Sequence, residues 1–310
     1  MCEKTSDTHV DSFPYAIDHA SIYMHTTPEL SGEMCDELPY GTRLHVIGDK
    51  CLSDTSGAWY RCETDYGYCG YVQEKYLVPS PVSDNPEPLY PFVVTAPFCD
   101  VLLDSLYKYR PILTLPRASV VLARRPSLCG DRFFPIYHKN RRFFVPTASL
   151  RPYIPPQKRK NAVSDVSSDF DSDSDSGSYA QLTNRTSLRK QLCDDALSYL
   201  GVPYRWGGRT PSGIDCSGLC FTVYAINGLP LWRDAFADRR FVHETDKDSL
   251  LPGDLIYFKG HMALYIGDGE YVHASASTGY VTVNSLNRDS IIWRSDLAEN
   301  LVCYAKSNFL

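Results

Sequence analysis

The sequence predicts an α+β fold in which two small all-β barrels precede a domain of helices and antiparallel sheet. Three observations predict it. Short alternating strands broken by turns run to about residue 152, a Ser/Asp-rich segment then interrupts all apolar patterning, and two apolar helices followed by strand-like runs come after it. The chain has 310 residues, 43% hydrophobic and 22% charged, which is enough for two or three domains with buried cores.

In the first region, residues 21–25 (SIYMH) and 42–48 (TRLHVIG) alternate, and WYRC at 59–62, a turn at 65–67 and GYV at 70–72 follow. A Thr27-Pro28-Glu29 turn, a Gly41-Thr42 turn, GAWYRC and a closing GYCGYVQEKYL complete an order that resembles the bacterial SH3-like domain over residues 14–79. A second copy is expected over residues 88–152: LTLPRASVV stands for the middle strands, GDRFFPI for the Trp-Tyr strand, and FFVP with ASL for the closing segment. Such barrels position ligands rather than catalyse, and most of the tyrosines are expected to be core. Residues 153–184 are expected to be a flexible linker. Its Ser/Asp alternation cannot bury enough apolar surface to offset the entropy of ordering, and its Lys158-Arg159-Lys160 triplet reads as solvated.

Beyond the linker, Leu188, Leu192, Ala196 and Leu200 form a helical stripe closed by Gly201. A glycine-rich loop, PYRWGGRTPSG, leads into a second helix over IDCSGLCFTVYAING. DLIYF, HMALYIG, EYVHAS and YVTVNSL are expected to be strands, so the last domain, 185–310, is α+β.

Composition narrows the chemistry. The net charge of −6 provides no global basic field for nucleic acid or anionic lipid. The N-terminus has no apolar signal region and no stretch approaches the roughly 18 apolar residues of a membrane span. Eleven cysteines without CxxC pairs suggest neither zinc nor a disulfide framework, although Cys62 and Cys69 flank a turn. These points favour a reducing compartment, hence cytoplasmic residence or export by a non-classical route.

The chemistry concentrates in Asp215-Cys216-Ser217-Gly218. A cysteine at the start of a helix meets positive partial charge and unsatisfied N–H groups. Both favour thiolate, so its pKa is expected below the free value of about 8.5. Cys220, one turn later, is expected to be core. A nucleophilic cysteine needs a base. His261 and His273 lie on successive strands, whereas His243 sits in a charged stretch and the other five histidines lie outside this domain. A three-residue Gly267-Asp268-Gly269 loop pairs Ala263 with His273 and puts His261 and His273 on one face; a two-residue Asp268-Gly269 loop would separate them. His261 is read as base and His273 as the group that orients it.

GVPYRWGG, DCSGL, LPGDLIYF and HMALYIGDGEYVHAS, in this order over residues 201–275, resemble the NlpC/p-sixty superfamily of papain-like cell-wall cysteine peptidases. The resemblance implies a papain-like NlpC-type domain that cuts between γ-D-glutamate and the diamino acid of peptidoglycan stem peptides, with Cys216, His261 and His273 catalytic. It further implies Tyr204 beside the nucleophile, Asp215 on the free amine of an N-terminal L-alanine, and Ser217 lining the pocket. Relatives carry a serine where this chain has Ala235. They also close the site with an acidic residue and a tyrosine from the barrels, roles for which Glu74 and Tyr76 are the candidates. The implied partners are peptidoglycan fragments or stem peptides. No nucleic acid, membrane, metal or cofactor is implied, and a monomer is expected. Amidase activity, thiol acyl transfer, or wall binding without catalysis are the alternatives. Tandem barrels and Asp215 favour the endopeptidase over the amidase, no membrane anchor is seen for acyl transfer, and the Cys–His–His set argues against idle wall binding.

Overall fold

The structure, a computed structural model, describes residues 15–79, 89–106, 108, 111–124, 131–138, 141–155 and 175–310, with side chains from 185 onward in the last stretch. The N-terminal segment, the basic triplet and the Ser/Asp run to residue 174 lie outside the described residues.

Strands β1 (Tyr15–Ile17), β2 (Ser21–His25), β3 (Met34–Pro39), β4 (Arg43–Ser53), β5 (Gly57–Thr64), β6 (Cys69–Gln73) and β7 (Leu77–Pro79) form one antiparallel sheet ordered β3-β2-β6-β5-β4-β1-β7. It curls around Ile22, Met24, Leu38, Leu44, Cys62 and Val72, the inward residues of successive strands. The same plan recurs in β8 (Tyr90–Val94), β9 (Phe98–Val101), β10 (Leu113–Pro116), β11 (Val120–Ala123), β12 (Phe133–His138), β13 (Arg141–Pro146) and β14 (Leu150–Pro152). There β8 pairs with β11 and β14 as β1 pairs with β4 and β7, and β9–β10 form the hairpin that β2–β3 form in the first barrel. Even a backbone detail repeats. Two residues after the closing prolines Pro39 and Pro116, Gly41 (φ 79°) and Ala118 (φ 71°) turn left-handed, and each donates its N–H to the end of its barrel's first strand.

The last domain begins with α1 (Asp175–Leu197), whose first ten residues, 175–184, fall within the expected linker. It also ends earlier than its stripe suggested: Leu200 is 49% exposed, and Gly201 (φ 80°) makes the turn. Short strands β15 (Arg209–Thr210) and β16 (Gly213–Ile214) precede α2 (Cys216–Ile226). Then β17 (Val242–Thr245), β18 (Leu255–Phe258), β19 (His261–Gly267), β20 (Glu270–Ser275), β21 (Tyr280–Ser285), α3 (Ser295–Glu299) and β22 (Leu301–Ser307) build a sheet ordered β17-β22-β18-β19-β20-β21. Helix α2 packs its apolar residues on β19 and β20, so ten of its eleven residues are buried.

Both barrels dock on this domain, and each ties down one end of α2. At the C-terminal end, Asn227 donates to Asp195 Oδ2 at 2.8 Å and Arg151 of the second barrel reaches the same carboxylate at 2.7 and 2.9 Å. At the N-terminal end the first barrel contributes β3, described below.

Candidate active site

Cys216 opens α2 and is 6% exposed. Asp215, in extended backbone, caps the helix by accepting the Gly218 N–H through Oδ1. The helix is aimed at β19, where the Met262 N–H hydrogen-bonds the Cys216 thiol, so the thiol lies against the residue that follows His261. Cys220 is fully buried in the core.

His261 and His273 do share a face, by a route the sequence reading excluded. The turn is the two-residue Asp268-Gly269 type, both with positive φ (50° and 77°), and Gly267 pairs with Glu270. A bulge between Tyr265 and Gly267, where Gly267 takes φ 107°, then absorbs one residue and restores Tyr265 opposite Tyr271. His261 Nε2 lies 2.7 Å from His273 Nδ1, and His273 Nε2 lies 2.8 Å from Asn284 Oδ1. Asn284 Nδ2 donates to Ile292 O at 2.6 Å, which fixes the amide with its oxygen toward His273. An amide oxygen only accepts, so His273 carries its proton on Nε2. His273 Nδ1 is then an acceptor, His261 donates from Nε2, and the His261 Nδ1 lone pair is left for a proton from outside the pair. Asn284 was not singled out in the sequence. Its face follows from parity only once the register is known: Thr282 pairs with His273, so Asn284, two residues on, shares that face.

Charge states in the site correct one expectation. Burial, helped by the Asp215 carboxylate, pushes the Cys216 thiol up to about 11, although the Met262 and Ser217 N–H groups and Arg233 pull the other way. The helix N-terminus therefore does not outweigh desolvation. Burial likewise lowers His261 to about 3, with His273 and Arg294 adding to the effect, and lowers His273. The resting pair is thiol and neutral imidazole.

Tyr204 stands beside Cys216: burial, then the charges of Cys216 and Asp215, raise its hydroxyl pKa. Asp215 is crowded. Arg233 Nη1 and Nη2 grip Oδ1 and Oδ2 at 3.1 and 3.0 Å, the Gly207 N–H reaches Oδ2 at 2.8 Å, and Ser217 Oγ donates to Oδ1 at 3.2 Å. Ser217 Oγ also accepts from Arg233 Nη1 at 2.9 Å.

The barrel residues at this site are not Glu74 and Tyr76. Glu74 pairs with Lys50, and Tyr76 packs on His19 within the first barrel. Instead β3 supplies Asp36 and Glu37, which are 0% and 1% exposed. Asp36 Oδ1 accepts from Arg233 Nε at 2.6 Å; Asp36 Oδ2 accepts from Arg209 Nη1 at 3.1 Å and from the Tyr66 hydroxyl. Glu37 accepts the Arg209 N–H at 2.9 Å. Tyr68 donates to Asp234 Oδ1 at 2.8 Å.

Comparison with known proteins agrees with this architecture. Residues 201–299 match the model of the NlpC/P60 family. The chain is 30% identical to the dipeptidyl-peptidase 6 of Lysinibacillus sphaericus, over 90% of this chain and 93% of that protein. It is 36% identical to a gamma-D-glutamyl-L-lysine dipeptidyl-peptidase of Bacillus cereus, over 34% of each chain. Among solved structures, an NlpC/P60 family protein from Bacillus cereus superposes with a TM-score of 0.66 over 94% of this chain and 98% of its own, at 20% identity, a likeness of fold.

Proposed function

The chain belongs to the NlpC/P60 family and is a cysteine peptidase that cleaves peptidoglycan, and from that premise we propose that Cys216 attacks the bond between γ-D-glutamate and the diamino acid of a stem peptide. The observation that carries the reading is the relay from Asn284 through His273 to His261, which leaves an imidazole lone pair in the site that holds the thiol.

In the acylation step the Cys216 proton moves to His261 Nδ1 as sulfur attacks the γ-carbonyl carbon. His261 Nε2–H stays hydrogen-bonded to His273 Nδ1, which stabilises the imidazolium. The developing oxyanion lies at the start of α2, where the Ser217 N–H faces the thiol and the Gly218 N–H is occupied by Asp215. His261 then gives its proton to the leaving amine of the diamino acid, and the C–N bond breaks. Water, deprotonated by the same imidazole, hydrolyses the thioester and returns the thiol.

The preferred substrate in this reading begins with free L-alanine, whose ammonium is attracted by Asp215 with Asp234 and Tyr68 nearby. Because Arg233 already neutralises Asp215, the ammonium joins a shared network rather than meeting a lone carboxylate. Mass analysis of products from L-Ala-γ-D-Glu-diamino-acid peptides tests both points. The dipeptide L-Ala-γ-D-Glu is expected, with a large loss of rate on N-acetylation. Release of L-alanine alone would contradict the bond assignment, and equal cleavage of both peptides would contradict the free-amine requirement.

A further inference from the structure

Arg233 joins carboxylates from two domains. It is 1% exposed, and its guanidinium directs Nε to Asp36 and both Nη atoms to Asp215. We infer that Asp36, on barrel strand β3, is a positioning residue for the nucleophile: through Arg233 it fixes the carboxylate that caps the Cys216 helix.

A guanidinium is planar, and two bonds from one edge to Asp215 leave its plane free to swing about that carboxylate. The third bond, Nε to Asp36 Oδ1 at 2.6 Å, removes that freedom. Asp36 is itself held by Arg209 Nη1 and the Tyr66 hydroxyl. Arg209 in turn lies over the ring of Phe221 on α2, at 4.5 Å from its centroid. The chain of contacts therefore reaches α2 twice, at its cap and along its side.

The second barrel provides an internal control. In the shared register, Pro39 corresponds to Pro116 and Leu38 to Leu115, so Asp36 corresponds to Leu113 and Glu37 to Thr114. The barrel plan does not need acids at these positions. They occur on the strand that meets Arg233 and Arg209, and burial without those partners would be very costly.

The inference rests on Cys216 as nucleophile, which Cys216→Ala tests by itself. Asp36→Asn in the full chain keeps the shape and removes the charge. Two rates are read: kcat on the L-Ala-γ-D-Glu-diamino-acid peptide, and alkylation of Cys216 by iodoacetamide, located by peptide mass. The alkylation needs no substrate, so it separates a displaced nucleophile from a damaged peptide pocket. We expect kcat to fall about 10²-fold, the scale of a small misplacement of a reacting group, and alkylation to fall severalfold. Tyr23→Phe, which loses the inter-domain hydrogen bond from Arg205 but lies outside the Arg233 chain, should match the native protein in both. If Asp36→Asn does not fold, Tyr66→Phe removes one donor to Asp36 and should shift both rates in the same direction by less. Native alkylation in the folded variant, with or without a loss of kcat, would overturn the inference, as would an equal loss in Tyr23→Phe.

Discussion

At the scale of single residues, the proposed catalytic set is arranged around a thiol that is hard to ionise. Cys216 sits near 11 and His261 near 3, both displaced by burial, so the neutral pair persists across the working range. The active form of the free enzyme is thiol with neutral imidazole, lost on the acid side only when His261 is protonated. The profile of kcat/KM should therefore be flat from about pH 5 to about 7, and fall above about 8 as the substrate's α-ammonium loses its proton. An acid limb near 6.5, the ordinary histidine value, would show that His261 is more solvated than its surroundings imply. The relay also ranks substitutions. His261→Ala removes the base and should cost about 10²- to 10⁴-fold in kcat. His273→Gln, whose amide oxygen still accepts from His261, should cost less, and Asn284→Leu, which releases the His273 tautomer, should lie between the native protein and His261→Ala. Equal losses in all three, measured on folded proteins, would mean the histidines act as an inseparable unit. Of the proposed set, Cys216, His261, His273 and Tyr204 could be named from the sequence because each belongs to a strong local pattern. Asn284 was not, since a lone asparagine in a strand carries no signal until its partner strand is known.

At the scale of elements, the β19–β20 hairpin shows how parity can be right while its reason is wrong. A three-residue loop was expected to place both histidines on one face; a two-residue turn with a bulge does so. Glycines at 267 and 269 suited both solutions, and sequence alone could not choose. The bulge depends on Gly267 at φ 107°, a conformation that L side chains rarely adopt. Gly267→Val should cost about 1–3 kcal/mol in denaturant unfolding. Loss of the bulge would carry the Gly267–Glu270 register along the strand and separate His261 from His273, so activity should fall more than stability. A fully active, equally stable variant would refute this role of the bulge. Strand β3 was missed for a different reason. MCDELP places two acids in its middle, which reads as solvent-exposed or loop, yet its last four residues are all buried. The partners that bury the two acids come from another domain, and no pattern local to the strand records it.

At the scale of the whole molecule, the two barrels act as clamps on one helix. The first holds the N-terminal end of α2 through Asp36, Arg233 and Asp215; the second holds its C-terminal end through Arg151, Asp195 and Asn227. The division into two barrels and an α+β domain could be read from strand spacing and from the change of period after the acidic segment. How the domains meet could not. Asp36 and Glu37 stand more than 170 residues from Arg209 and Arg233 in sequence, and the four complement each other only after folding. Tyr66, in the expected turn at 65–67, and Tyr68 are drawn into the same interface. All of this arrangement converges on one sulfur atom. The most direct test is therefore release of L-Ala-γ-D-Glu from a defined stem peptide by Cys216→Ala, with Cys220→Ala as the control for loss of a buried thiol on the same helix. Release should fall to background for Cys216→Ala with an intact fold, and stay near native for Cys220→Ala at a cost of about 1–2 kcal/mol in stability. Comparable release by Cys216→Ala and the native protein would contradict the assignment of Cys216 as nucleophile.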